Sequence, residues 1–319
     1  MVADATSHDT PALTRRLESR VAAFDVSDSG RLRVSGDDAI DLLNRLSTND
    51  LERLEVGRGM GTTLTTNKGR IIDLLRVLRR DADLLVLTSP GTQRRVAEWI
   101  DFYTFAEDVE VEDLTGATAH WLIVGASVAE AVDRARLDPD GLDEYLDHRG
   151  DGDVTIVRAQ LGDVAAYEVI SPIDAKPPDA DALRDYSLEL GDLELLRIEQ
   201  GVPAYPNELN EAHNPLEANL KPHISFNKGC YIGQEVVARL NTYDRVQRWL
   251  CQLVVDDGAT LEVGAAVIVD DANVGEVTTS ASGLALAYLR KRVYEDGARV
   301  TVDGIGATVK DIRPPENDD

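Results

Sequence analysis

The chain has 319 residues, of which 43% are hydrophobic and 29% charged, a balance that supports a folded core of about two domains and argues against wholesale disorder. Its 58 acidic and 33 basic residues leave a formal charge of −25, which argues against non-specific binding to nucleic acid or anionic lipid. Two cysteines, Cys230 and Cys251, are too few for a secreted-type disulfide framework or for holding an iron–sulfur cluster alone.

Only six lysines occur, and arginine supplies the other basic residues. Acid excess with few lysines points to adaptation to concentrated salt, where carboxylates keep the surface hydrated and their mutual repulsion is screened. The first fifteen residues lack the apolar segment of a signal peptide, and no apolar run approaches a membrane span. The expectation is a soluble, cytoplasmic protein.

Helical and extended patterns alternate through the first two-thirds. Leu17, Val21 and Phe24 stand at helical spacing over 14–24, and Arg31 to Val34 alternate as a strand. Gly36-Asp37 opens a helix carrying Ala39, Ile40, Leu42, Leu43 and Leu46 on one face. Thr62 to Thr66 and Arg70 to Leu78 read as strands joined by the turn Asn67-Lys68-Gly69. Leu84 to Thr88 follows as a strand, Thr92 to Phe102 as an amphipathic helix, Trp121 to Val124 as a strand and Val128 to Ala135 as a helix. Val154 to Arg158 and Ala166 to Ile170 are further strands, and the mixture indicates an α+β fold with mixed or antiparallel sheets.

A proline-rich break at 172–178 precedes two helical stretches, Asp181 to Glu189 and Leu193 to Glu199. From Gly201 to Gly229 the chain is turn-rich yet apolar enough to be ordered, and a long irregular segment of that kind is usually functional. Glu235 to Leu240 is helical. Beyond a boundary near 242–247, six short strands from Leu250 to Ile312, with glycines between them, form the pattern of a small β-barrel. The division predicted is 1–243 and 244–319.

The chemistry concentrates in Asn227-Lys228-Gly229-Cys230-Tyr231-Ile232-Gly233-Gln234-Glu235. A thiol beside a cation and just ahead of a helix has a lowered pKa and greater nucleophilicity. Cys251, in an alternating strand, reads as packing. His223 is a candidate base for Cys230. Gly57-Arg58-Gly59-Met60-Gly61 misses the dinucleotide-binding spacing, and Glu211 and His213 have no third ligand at metal spacing.

Lys228 to Glu235 resembles the K-G-C-[FY]-x-G-Q-E signature of the YgfZ family, folate-binding proteins required for maturation of some iron–sulfur enzymes and relatives of the glycine-cleavage T protein, an aminomethyltransferase. Other blocks resemble that superfamily too: Leu32 to Ala39, Leu46 to Asp50, Thr66 to Asp73, Leu196 to Gly201 with Pro203 and Tyr205, and Asn214 to Ala218. The resemblance runs from about residue 24 to the C-terminus. It implies a GcvT-like ring of two α+β folate-binding subdomains and a C-terminal barrel, with tetrahydrofolate or another reduced folate in a central channel and Cys230 as the functional thiol near its rim.

A pterin edge presents paired N–H donors that a carboxylate accepts bidentately, which makes Asp73 and Glu168 candidates. Arg197 is a candidate for a ligand carboxylate or for ordering Glu217, and Lys228 for an anionic glutamate tail. Asn67, Tyr205 and Glu217 complete the expected folate-binding set. One departure stands out. The aminomethyltransferases follow their hairpin with two adjacent aspartates, the second beside the reacting folate nitrogen, whereas this chain has Asp73-Leu74. The expectation is therefore a folate-binding partner of iron–sulfur client enzymes or assembly proteins. The rivals are an aminomethyltransferase and a scaffold that binds no folate.

Overall fold

The computed structural model describes residues 12–18, 20–151, 153–175 and 190–314. Of two five-stranded antiparallel sheets and a closed six-stranded barrel, the sheets pack on each other, the second sheet packs on the barrel, and the helix Leu190–Glu199 joins the barrel to the first sheet, so the three units form a ring. The first sheet has the order β1 (Ala22–Asp25), β7 (Thr118–Val124), β10 (Val164–Pro172), β9 (Val154–Leu161), β8 (His148–Asp151). The second runs β3 (Gly59–Thr65), β4 (Ile71–Arg79), β5 (Leu84–Pro90), β2 (Ser29–Ser35), β6 (Glu110–Asp113).

Helix α2 (Ala39–Leu46) buries Ala39, Leu42, Leu43 and Leu46 against one face of the second sheet, where α3 (Gln93–Phe102) adds Val96 and Ile100. That face of β4 carries Leu75 and Val77. Its other face carries Leu78, which meets Val157 and Ile170 of the first sheet, and Leu74, which meets the barrel residues Leu250 and Tyr288. Period-two alternation along β4 thus separates a helix-covered core from the interior of the ring.

The expected helix over 14–24 is corrected. Helix α1 ends at Leu17, and Phe24 lies in β1, paired with Leu122. Strands β6 and β8 were not foreseen. The expected helix at Val128 to Ala135 is α4 (Val128–Arg134), that at Asp181 to Glu189 lies outside the described residues, and α5 (Leu190–Glu199) encloses the expected Leu193 to Glu199.

All six expected barrel strands are present: β11 (Arg248–Val255), β12 (Ala266–Val269), β13 (Ala272–Ala281), β14 (Leu284–Arg290), β15 (Arg299–Val302) and β16 (Ile305–Lys310). Cys251, Leu253 and Val255 point into the barrel core, while Leu250 and Gln252 point outward. The amide of Gln252 donates to the carbonyls of Ile198 and Glu199, fastening the barrel to the end of α5. The buried Glu199 carboxylate in turn accepts from Leu13 N at 3.2 Å and Thr14 N at 2.9 Å, holding the start of α1 against α5.

Candidate functional site

Interior-facing β4 and β10 bring a charged cluster together inside the ring. Arg76 ion-pairs with Glu168 Oε1, and His120 Nε2 lies 3.0 Å from Oε2. Burial alone would raise the Glu168 carboxyl. The Arg76 guanidinium, followed by His120, overcomes that and holds it at about 2. Burial lowers the His120 pKa, so its neutral ring donates Nε2–H to the carboxylate. That leaves Nδ1 as a buried acceptor without a partner among the described residues. The Arg76 side chain keeps 24% of its surface accessible, so the cluster is not sealed. An ionised carboxylate offers about four lone-pair positions. Arg76 and His120 occupy two, and Glu168 retains the capacity to accept two further N–H donors.

Asp73 does not join this cluster. A β-bulge pairs Thr65 with Ile71 but Leu64 with Asp73, and the Asp73 side chain turns toward α3. Its Oδ2 accepts from Thr92 Oγ1 at 2.5 Å and Ser89 N at 3.1 Å, and its Oδ1 from Leu74 N at 2.9 Å. Fully buried, Asp73 anchors the start of α3 to β4, and a pocket shared with Glu168 is not what the geometry provides. Its neighbour Leu74 occupies the interior face instead.

Arg197 is a junction within the protein. Its Nε donates to Glu194, Nη1 to the carbonyl of Val202 and to Glu208 at 3.0 Å, and Nη2 to Glu194 and Thr279. All five N–H donors are engaged. The carboxylate that Arg197 orders is Glu208 rather than Glu217. Glu208 also accepts from Ala204 N and Thr279 Oγ1, so one buried pair ties α5, the following loop and the barrel together. Glu217 lies near Arg70 and Arg248, at 3.8 and 3.7 Å, and burial raises its carboxyl. Tyr205 packs beside the cluster formed by Leu209, Leu220 and Leu250.

The cysteine segment forms a separate, strongly braced feature. Lys228 Nζ donates to the carbonyls of Asn44 at 2.5 Å, Ser47 at 2.9 Å and Asn49 at 2.6 Å. Its three donors cap the C-terminal end of α2, where the helix dipole favours a cation. Burial lowers its pKa to about 8. None of its N–H groups is left for an anionic tail, which corrects that expectation. Past the cysteine, Thr65 Oγ1 donates to Ile232 O at 2.6 Å, and Ile232 N donates to Arg45 O at 3.1 Å. Gly233 enters α6 (Gln234–Thr242) at φ +87°, where a Cβ would lie 2.7 Å from both Thr65 Oγ1 and Thr66 O, so a side chain there is excluded. Cys230 is exposed between these two anchors, and Asn67 is exposed on the adjoining hairpin turn.

His223 packs its ring on Gly61, where a Cβ would stand 2.3 Å from Nδ1, and burial lowers its pKa to about 4. Sequence reasoning did not single out Arg76, His120 or Glu208. Arg76 was legible in principle, because it alternates with Leu74 on one face of β4. His120 and Glu208 carry no motif of their own and acquire meaning only through their partners.

The GCVT N-terminal domain model matches residues 10–164. A chloroplastic transferase-like protein of Arabidopsis thaliana is 32% identical, over 98% of this chain and 75% of its own length. An aminomethyltransferase of Symbiobacterium thermophilum is 27% identical, over 93% of this chain and 85% of its own length. The crystal structure of the glycine cleavage system aminomethyltransferase T from Bartonella henselae superposes with a TM-score of 0.85 at 19% identity, covering 94% of this chain and 88% of that one, a likeness of fold.

Proposed function

Because the chain belongs to the GCVT, aminomethyltransferase-like family, we propose that it binds a reduced folate and, in the manner of the YgfZ branch, supports assembly or repair of iron–sulfur clusters in client enzymes. The observation that carries this reading is the pairing of an interior leucine with an anchored, exposed thiol. Leu74 occupies the interior face where a transferase would need a carboxylate, while Lys228 and Ile232 fix the backbone on both sides of Cys230. Tetrahydrofolate would supply a carrier for one-carbon units. Glu168, with its spare acceptor capacity, would hold the pterin N–H edge, and Arg76 and His120 would keep that carboxylate ionised and oriented. Asp73, Arg197 and Lys228 would act on the scaffold around the ligand rather than on the ligand itself. Cys230 would face the client.

In this reading residues 1–243 form the folate-binding module and 244–319 the barrel domain, and the protein works in the cytoplasm. Among the described residues no helix is long and apolar enough to cross a membrane. The acid excess would be an adaptation to salt, expected to appear as a melting temperature that rises from low to molar salt.

The test adds tetrahydrofolate to the purified protein and follows the melting temperature. A saturable rise is expected, and its absence at high ligand concentration favours a folate-free scaffold. The aminomethyltransferase reading is favoured by the names of several relatives. It is tested by supplying tetrahydrofolate with an aminomethyl-loaded carrier protein and measuring methylene-tetrahydrofolate and ammonia. Turnover at ~1 s⁻¹ or faster would establish that rival. The expected result is none, since leucine can neither donate a proton nor stabilise developing charge. Loss of client iron–sulfur activity in cells carrying Cys230→Ser would support the cluster role.

A further inference from the structure

Helix α3 ends in an exposed aromatic turn. In a chain that is only 5% aromatic, Trp99, Phe102, Tyr103 and Phe105 fall within seven positions. Tyr103 packs on Trp99 with centroids 5.3 Å apart and meets Phe102 edge to face at 5.0 Å. Trp99 and Tyr103 turn in against the α2–α3 core, whereas Phe102 is 66% and Phe105 84% exposed. Two phenylalanines at that exposure present roughly 300 Å² of apolar surface, a size that is often functional. The turn holds them outward. Thr104 Oγ1 donates to Ile100 O at 2.9 Å, and the Glu107 carboxylate accepts from Phe105 N at 2.8 Å and Ala106 N at 3.0 Å. These backbone donors, followed by Arg45, hold the Glu107 carboxyl at about 2, so the clasp stays ionised near neutral pH. An anchor preorganised in this way loses little freedom on binding.

The same clasp leads to Cys230. Arg45, in the last turn of α2, binds Glu107 Oε1 through Nη2 at 2.9 Å, and its carbonyl accepts from Ile232 N at 3.1 Å. One residue therefore fixes the Phe105 turn with its side chain and the Cys230 loop with its backbone. Ile232 packs on the same core as Trp99 and Tyr103, on the helix-covered side of the second sheet and away from the interior of the ring. Charge selects what can cover this surface. Residues 96–113 contain seven acidic side chains and no basic one. Arg94, Arg45 and Arg33 pair with Glu98, Glu107 and Glu112, but the exposed Asp101 and Glu110 make no ion pair among the described residues. A second copy of this chain, or an anionic lipid surface, would set negative charge against that rim, which is costly. Lysine and arginine are attracted to it, and their cations also suit the phenylalanine faces.

We propose that Phe102, Phe105 and Cys230 lie on one docking face, whose occupant is a client protein presenting an apolar segment rimmed by lysine or arginine. The proposal rests on the reading that Cys230 faces a client, and adds what holds that client there. The two phenylalanines are its apolar anchors, and Asp101 and Glu110 belong to its charged rim.

The first experiment labels the full-length protein with para-fluorophenylalanine and titrates it with an amphipathic peptide of leucine and lysine, and separately with the same peptide carrying glutamate for lysine. Saturable fluorine NMR shifts at Phe102 and Phe105, but not at the buried Phe24, are expected with the lysine peptide at a dissociation constant of about 100 μM or tighter, and none with the glutamate peptide. Asp101→Asn/Glu110→Gln is expected to weaken binding about tenfold and to reduce its salt dependence. No saturable shift at the two phenylalanines, or equal binding of both peptides, overturns the proposal. The second experiment measures client iron–sulfur activity in cells carrying Phe102→Ser/Phe105→Ser, beside cells carrying Cys230→Ser. The phenylalanine variant is expected to lose client activity tenfold or more. Its purified form should keep the rise in melting temperature with tetrahydrofolate, because the patch lies outside the ring. Full client activity in that variant, where Cys230→Ser loses it, overturns the docking face and leaves the proposed function standing. Full activity in both variants overturns the proposed function and, with it, the client as occupant.

Discussion

The ammonium of Lys228 lies 2.9 Å from the carbonyl oxygen of Ser47, the residue that ends α2, and bonds the carbonyls of Asn44 and Asn49 at the same time. One side chain therefore couples the rigidity of a helix to a loop otherwise built from turns. The glycine and cysteine that follow inherit a fixed starting point.

Removing that cap has a defined effect. Lys228→Met leaves three part-buried carbonyls without their donor, and a loss of about 1–3 kcal/mol is expected. The Cys230 loop should then exchange its amide hydrogens faster than the core of α2. Chemical denaturation and hydrogen exchange measure the two effects, and retention of both wild-type values would remove Lys228 from its capping role.

Glu168 and Asp73 separate ligand binding from scaffold. Glu168→Gln is expected to weaken tetrahydrofolate binding at least tenfold and to destabilise the fold by about 3–5 kcal/mol, because Arg76 loses its buried partner. Asp73→Asn is expected to lower stability through Thr92 while leaving affinity within a factor of about two, since its carboxylate faces α3. Calorimetry on both variants decides. Equal losses of affinity would return Asp73 to the ligand site.

The two thiols should differ sharply in reactivity. Cys230 is exposed, whereas Cys251 is buried in the barrel core, hydrogen-bonds to the Ala287 carbonyl and has its pKa pushed well up by burial. A thiol reagent should label one cysteine per native chain and two in denaturant. Cys251→Ala should retain function in a complementation assay that Cys230→Ser fails.

Acid should destabilise the protein before most carboxylates titrate. His213 and His223 are held neutral, with pKa values lowered from 6.5 to about 4, chiefly by burial. Between those values the unfolded chain binds more protons than the folded one, so stability falls as pH falls from 6.5 toward 4. Glu168, lowered to about 2, adds its own loss below 4.5. A drop in melting temperature of roughly 5 °C or more is expected across the histidine window. His213→Phe, which keeps a ring against Tyr288, should flatten part of it.

The fold was legible where one face of an element is buried. Leu42, Leu43 and Leu46 marked α2, and alternation marked every barrel strand. It was illegible where spacing is ambiguous or edges are polar. Leu17, Val21 and Phe24 repeat like a helix, although the chain turns between Leu17 and Ala22 and Phe24 belongs to a strand. The Glu-Val-Glu-Asp of β6 and the His-Arg-Gly-Asp of β8 are edge strands with little apolar surface to alternate. In the site, the register of β4 runs unbroken from Asp73 to Arg76, so plain alternation puts Asp73 with Leu75 and Val77 and Arg76 with Leu74; what alternation does not tell is which of the two faces lines the ring. The target of Lys228 was hidden for a different reason. It binds backbone carbonyls, which every sequence possesses.

The clasp between Glu199 and α1 also sets an order of events during synthesis. Leu13 and Thr14 receive their partner from a residue 186 and 185 positions downstream. At ribosomal speeds of about 5–20 residues per second, the first helix waits roughly 9 to 40 s for that carboxylate to be made. Helix α1 is thus secured only after the strands of both sheets have been made. Until α5 emerges, Leu13 and Leu17 have the first-sheet residues Phe24, Val124 and Ala166 of their cluster available, but lack Leu196 and the Glu199 clasp.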